Sequence, residues 1–293
     1  MTLDKRALNW RRFILRANAA YLGAASIGGL LTWDIPAIFF GTGTEARVIG
    51  SAQYAGIGFL EAHGLAFILS VLLWRAKPTR SWHVVAAVAE ILLGSANLLF
   101  WEIFSVADVI AVGYASTALH FLFAALNLAA AIATAPQTGA QTLATEIAPG
   151  FRLSFPTRRL LLRANALFLI LASSFALVAD ISGSFAGTGP QATVFAQTPL
   201  AAVGFVEAHG LALILAVLLW RGTPTRTWHF TGLSMEGLLG IANIACWEYF
   251  VVSNAVAGGY IVTVIHLTFA AAHAVAVLPP SPAASTYQLK RGT

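Results

Sequence analysis

Two short motifs that pair glutamate with histidine are the residues best suited to chemistry in this chain. Glu61 and His63 form the first motif, and Glu207 and His209 form the second. A carboxyl group and an imidazole can exchange a proton near neutral pH, and both groups can also bind a metal ion. The two motifs therefore predict acid–base, proton-relay or metal-binding chemistry.

Both motifs belong to an internal repeat of the sequence. Residues 58–82 read GFLEAHGLAFILSVLLWRAKPTRSW, and residues 204–228 read GFVEAHGLALILAVLLWRGTPTRTW. The offset between the copies is 146 residues from Asp34 and Asp180 onward, and 147 residues before that point. One residue was therefore gained or lost upstream of Asp34. Residues that both copies retain are the better candidates for a function.

The retained polar residues extend beyond the two motifs and follow helical spacing. Glu90, Asn97 and Trp101 fall on one helical face, and the second copy repeats the pattern. The candidate ligand-binding or proton-relay residues are Glu61, His63, Glu90, Asn97, Trp101, Tyr114 and His120, matched by Glu207, His209, Glu236, Asn243, Trp247, Tyr260 and His266.

The positions of these residues along their helices predict one polar pocket in each copy. At about 1.5 Å of rise per residue, the first pocket opens to the outer side and is centred on Glu61, His63 and His120. Glu90 and His120 are expected to pair beneath it. By the same reasoning Asp34 and Asp180 end helices at the outer surface, where we expect them to be solvated.

The composition predicts that these residues lie in a membrane. The chain has 293 residues, of which 58% are hydrophobic and only 10% are charged. Such a chain cannot cover a water-facing surface, and its continuous apolar runs favour helices over the alternating strands of a β-barrel. We predict eight spanning helices, near residues 17–38, 56–74, 83–105, 109–134, 163–181, 200–220, 229–251 and 256–278.

Four spans in each copy predict two tandem, parallel four-helix repeats related by a pseudo-two-fold axis along the membrane normal. The first repeat covers residues 1–134 and the second residues 158–279, with a linker at 135–157 and a tail at 280–293. Lys and Arg gather at the N-terminus, in the linker, in the tail and after every second span, which places both termini in the cytoplasm. We therefore predict an integral cell-membrane protein of the bacterial inner-membrane type that contacts lipid.

The net charge of +5 reflects this topology rather than nucleic-acid binding. A single cysteine, Cys246, excludes an intrachain disulfide and a cysteine-based metal cluster, and packing is its expected role.

Several functions fit the polar pockets. Ionisable groups inside a bilayer cost roughly 2.5 kcal/mol or more, so they point to a function. Binding or transport of a small molecule or ion with proton coupling is the leading interpretation. The alternatives are a redox protein that holds haem or a divalent metal, a lipid-modifying enzyme with Glu and His as acid and base, and an accessory subunit. No motif specifies a cofactor.

Overall fold

The computed structural model describes residues 2–134 and 152–279, with side chains from residue 8 onward. Every regular element in these two ranges is a helix. The predicted tail at 280–293 and most of the predicted linker lie outside the described residues. The all-α class predicted from composition is confirmed for the part of the chain that the structure describes.

Eight long helices dominate the described ranges. They are α1 Thr2–Gly29, α2 Ile57–Arg75, α3 Arg80–Leu99, α4 Ile110–Ile132, α5 Phe155–Ile181, α6 Ala202–Arg221, α7 Arg226–Ala245 and α8 Val256–Val277. Seven of them, with short extensions, are long and apolar enough to cross a membrane. The chain is therefore a multi-pass membrane protein. The remaining helix, α7, is not in this set and contains polar residues such as His229, Thr231 and Glu236.

The predicted spans at 83–105 and 229–251 are wrong at their C-terminal ends. Helix α3 ends at Leu99, and a separate short helix, Glu102–Val106, follows a turn. The chain folds back there because Phe104 packs directly on Gly113 of α4, where a Cβ atom would lie 2.5 Å from the ring. Asp108 completes the reversal with a φ of 60°, a conformation that Asp and Asn tolerate better than most residues. The second half repeats this arrangement after Ala245.

Helices α2 and α6 form the centre of the molecule. They pack against each other and are the most buried of the spanning helices. Their backbones meet at Gly58 and Gly204, where a Cβ atom on either residue would lie 2.6 Å from a backbone nitrogen of the other helix. Small residues allow such close helix contact in lipid.

The two halves of the chain share one hydrophobic core around this crossing. Leu69 and Leu73 of α2 pack in the same buried cluster as Leu215 and Leu219 of α6. Helix α3 also contacts α6, and α7 contacts α2. Side chains of one half can therefore reach a pocket of the other.

A π-helical turn, Leu30–Asp34, lies where the offset between the copies changes, and the second half has its own π-turn only after Asp180, at Ser182–Ala186. Sixteen steps separate Asn18 from Asp34, whereas 15 separate Asn165 from Asp180. A π-turn takes in an extra residue within a continuous helix. Asp34 therefore faces His63 as Asp180 faces His209, although the segment that begins at Asn18 is one residue longer.

Candidate functional site

Four buried carboxylates each hold a histidine. The Nδ1 atom of His63 lies 2.8 Å from Asp34 Oδ2, and that of His120 lies 2.6 Å from Glu90 Oε2. The second half has the same two pairs, His209 with Asp180 and His266 with Glu236, each at 2.6 Å. All four carboxylate side chains are fully buried, whereas each imidazole keeps some exposure. Each pair is called a dyad below.

The dyads correct the expectation that Asp34 and Asp180 are solvated. Both residues are 0% exposed. The predicted contact between Glu90 and His120 is present. A signal for the aspartates was available in the sequence, since both copies retain Asp 29 residues before the His of the motif. Their position at the end of an apolar run suggested water instead.

Two pockets adjoin the dyads. The first pocket has a volume of about 300 Å³, and His63, Asn97 and His120 line it. The second pocket has a volume of about 410 Å³, and His209, Asn243 and His266 line it. Most of the remaining lining is apolar, from Leu, Ala and Phe side chains. Each pocket therefore combines two oriented imidazoles with an apolar wall.

The glutamates of the Glu-x-His motifs cross between the halves. Glu207 of α6 lines the first pocket, beside His63 and His120. Glu61 of α2 lines the second pocket. The expected grouping of Glu61 with His63 is therefore wrong, because residues two apart on a helix point in different directions. The close contact of α2 with α6 places each glutamate in the opposite pocket, so neither pocket is complete without both halves.

The four predicted aromatic residues do not join the pockets. The rings of Trp101 and Tyr114 pack on each other with centroids 4.8 Å apart, and Trp247 and Tyr260 do so at 4.6 Å. Both tyrosines are exposed, and none of the four lines either pocket. Pairs of this kind are suited to anchoring helices at a membrane interface.

The Glu–His pairs are called the inner dyads and the Asp–His pairs the outer dyads. A hydrogen-bonded chain continues from each inner dyad towards the start of α3 or α7. In the first half Glu90 accepts from Asn18, Asn127 Nδ2 donates to Asn18 Oδ1 at 3.0 Å, and Asn127 Oδ1 lies 2.8 Å from His83 Nδ1. Asn18, His83 and Asn127 were absent from the predicted site. Asn18 and His83 are retained in the second copy, which is the signal that could have found them.

The second half builds the same chain with a histidine in place of Asn127. His273 Nδ1 lies 2.9 Å from His229 Nδ1, and its Nε2 lies 2.8 Å from the Asn165 amide. Asn165 is also within hydrogen-bonding range of Glu236. Both neighbours are satisfied when the amide nitrogen donates to Glu236 and the amide oxygen accepts from His273, which is the polarity of Asn18 in the first half.

Another difference between the halves lies beside the outer dyad. Gln191 Nε2 donates to Asp180 Oδ1 at 3.1 Å, and the buried hydroxyl of Tyr249 donates to Gln191 Oε1. The equivalent residues in the first half are Glu45 and Ile103. Burial of Glu45, and next the nearby charge of Asp34, raise the pKa of the Glu45 carboxyl well above its usual value.

Cys246 lies at the end of α7 and is buried with a free thiol. Burial raises the pKa of this thiol to about 12, so it stays protonated and unreactive at neutral pH. These properties fit the expected role of Cys246 in packing.

The described residues contain no group of three His, Cys, Asp or Glu side chains placed to hold a metal ion together. Comparisons with family models, curated proteins and solved structures found no match to this chain. The features of this protein that bear on function are therefore its dyads, its pockets and the hydrogen-bonded chains beside them.

Proposed function

We propose that the protein binds a small cation or a small positively charged molecule in its two pockets and moves it across the membrane in exchange for, or together with, protons. The observation that carries this proposal is the set of four carboxylate–imidazole dyads, two beside each pocket, each pocket also receiving a glutamate from the other half.

The dyads are suited to holding a proton. A carboxylate at Nδ1 fixes the tautomer of the imidazole and stabilises its protonated form, which leaves Nε2 to take up or release a proton at the pocket. His63 and His120 can each do this within one cavity. The pocket can therefore change its charge without any movement of the backbone.

The balance of charges favours a cation as ligand. The first pocket draws on three carboxyl groups, from Asp34, Glu90 and Glu207, and on two imidazoles. With both imidazoles protonated one negative charge remains, and each lost proton adds another. A bound cation would compensate this charge, and protonation of the pocket would release the cation.

The proposal includes a topology. We propose eight spans in two parallel four-helix repeats, residues 1–134 and 158–279, with the linker 135–157, the tail 280–293 and both termini in the cytoplasm. Helix α7 is taken as a span because its counterpart α3 is apolar enough to cross and because both helices contribute the same dyad position. An epitope-accessibility assay on intact spheroplasts tests the position of both termini.

Proteoliposomes with a trapped pH-sensitive dye test the function. An imposed potential should drive proton entry in the wild type, and the double variant Glu61→Gln, Glu207→Gln should reduce it at least tenfold. The matched control is Glu102→Gln, Glu248→Gln, since both of these carboxylates are solvent-exposed. Equal flux in wild type and both double variants would contradict the proposal.

One observation supports a second candidate, a haem or metal protein. Histidines that ligate metals commonly donate their other ring nitrogen to a carboxylate, as all four dyad histidines are placed to do. An absorption spectrum and metal analysis of the purified protein separate the two functions. A Soret band or a stoichiometric metal would favour this candidate over the transport of cations.

A further inference from the structure

Glu45 is a buried acid without a hydrogen-bond donor. It precedes the short helix Ala46–Ile49, between α1 and α2, and is 4% exposed. Both carboxyl oxygens are buried, and neither accepts a hydrogen bond. A buried ionised carboxylate needs donors or a positive partner, so this environment suits only the neutral acid.

The carboxylate of Asp34 lies close enough to Glu45 to interact with it. Asp34 already faces His63, with Oδ1 and Oδ2 at 3.0 and 2.8 Å from Nδ1. Two carboxyl groups form a hydrogen bond only when one of them carries a proton, which here belongs to Glu45.

In the second half, a residue that cannot ionise makes the comparable contact. Gln191 occupies the position equivalent to Glu45, and its amide donates to Asp180 at 3.1 Å. A protonated glutamate has the shape and the donor of a glutamine. The first half therefore has a removable proton where the second half has a fixed amide.

A cavity of about 80 Å³ joins Glu45 to the first pocket. Glu45, His63, Asn97 and Glu207 are among the residues that line it. At about 30 Å³ for each water molecule, it has room for two or three waters, and its polar groups can bind them. His63 and Glu207 line both this cavity and the first pocket.

We propose that Glu45 is a proton-loading site that serves the first pocket alone. The O–H bond of Glu45 breaks, a water in the cavity carries the proton, and an N–H bond forms at His63 Nε2 or an O–H bond forms on Glu207. The reverse step reloads Glu45, and no other reactant is needed. The use of this proton in transport rests on the proposed function, whereas the presence of the proton on Glu45 does not.

Other ionisable groups near Glu45 do not replace it. Asp34, His63, Glu207 and the thiol of Cys246 face it directly or lie close to it. The neighbouring short elements add Arg47, Tyr54, Glu102 and Asp108. Arg47 pairs with Asp108 at 3.4 Å on the surface, and Tyr54 donates to Gln197, so these partners are engaged elsewhere.

Infrared difference spectroscopy at neutral pH tests the proposal. The wild type should show a carboxylic-acid C=O band that Glu45→Gln removes. Gln191→Glu should add a second such band. Because the Glu45→Gln variant reproduces the amide of the second half, it should fold normally. A Glu45→Gln spectrum that keeps every carboxylic-acid band of the wild type would overturn the proposal.

A pH titration of the same infrared band tests whether Glu45 is coupled to Glu207 in the first pocket. In Glu207→Gln the loss of a nearby negative charge should let Glu45 ionise at a lower pH, so its band should disappear at least one pH unit earlier. An unchanged titration would overturn the coupling. If the double variant of Glu61 and Glu207 leaves proton flux intact but Glu45→Gln still removes the band, the transport function fails and the proton site stands.

Discussion

The two halves of the molecule keep the same dyads and differ at the ends of the polar chains that lead to them. Both halves hold an outer Asp–His dyad and an inner Glu–His dyad with nearly identical contacts. The outer ends differ as Glu45 and Gln191, and the inner ends as Asn127 and His273. The halves therefore share their carboxylate–imidazole dyads and diverge in the polar residues that adjoin those dyads.

A further difference lies at the surface of the first pocket. Tyr21 places its hydroxyl 3.3 Å from His120 Nε2, whereas Phe168, its counterpart, offers only a ring edge to His266. The first imidazole therefore has a hydrogen-bond partner on both nitrogens. His266 lines the second pocket and has no such hydroxyl partner there.

Other differences between the halves need no functional explanation. Asp108 and Asn254 occupy equivalent positions, and both adopt positive φ values, of 60° and 53°. Either residue type tolerates that conformation. This exchange preserves the backbone turn, and Asp108 adds only a surface contact with Arg47.

The largest effect is expected at the contact between the two halves, where substitutions on either side should cost similar stability. Gly58→Ala and Gly204→Ala each place a Cβ atom 2.6 Å from a backbone nitrogen across the α2–α6 crossing. The helices must separate, so we expect each variant to lose about 3 kcal/mol or more of stability. Thermal unfolding in detergent measures this loss. Gly28→Ala is the control, since nothing lies within 4 Å of the added atom, and equal melting of all three variants would refute the close contact.

The next largest effect is expected from exchanging Asn127 and His273, the residues that differ between the two hydrogen-bonded chains. A Cβ atom on Gly232 would lie 2.5 Å from His273 Nε2, and the residue equivalent to Gly232 is Ala86. Asn127→His should therefore overpack the first half and cost about 1–3 kcal/mol, whereas His273→Asn should cost less.

The double variant Ala86→Gly, Asn127→His should recover most of that loss, because it recreates the space found in the second half. A thermodynamic cycle of the four proteins measures the coupling. If Ala86→Gly gives no recovery, the glycine does not accommodate the histidine ring.

The third effect concerns Glu45 and its counterpart Gln191, which should give stability a different dependence on pH. The pKa of Glu45 is raised in the folded protein, so its contribution to stability is complete below the unfolded pKa and is lost as pH rises towards the folded value. Within that window the wild type should lose about 1.4 kcal/mol per pH unit relative to Glu45→Gln. Melting temperatures measured across pH for the two proteins give the difference directly. Parallel curves would show that Glu45 is not buried as a neutral acid.

The smallest effect concerns the surface contact between Arg47 and Asp108. Their side chains are 57% and 87% exposed and lie 3.4 Å apart. Such exposed pairs contribute about 0–1 kcal/mol. Arg47→Ala should therefore change the melting temperature by no more than a degree or two and leave proton flux unchanged. A large loss of proton flux would show that the first half needs the positive charge of Arg47.

Much of the fold and part of the site could be predicted from the sequence. Hydrophobicity alone identified the membrane class, because a chain with so few charges has no other stable environment. Comparison of the two copies identified Glu90, His120, Glu207 and their counterparts, because each copy serves as a reference for the other. Asn18 and His83 passed the same comparison but carried no expected role, since hydrogen-bond partners are not visible along a chain.

The sequence by itself determined which side chains are repeated and which stretches prefer lipid, since both properties depend on residue identity and local order. Only the tertiary structure decided which acid meets which histidine. A π-turn buries Asp34 against His63, and the contact of Gly58 with Gly204 brings Glu61 and Glu207 into opposite pockets. These pairings depend on how helices far apart in the sequence approach each other, which is set by packing rather than by spacing.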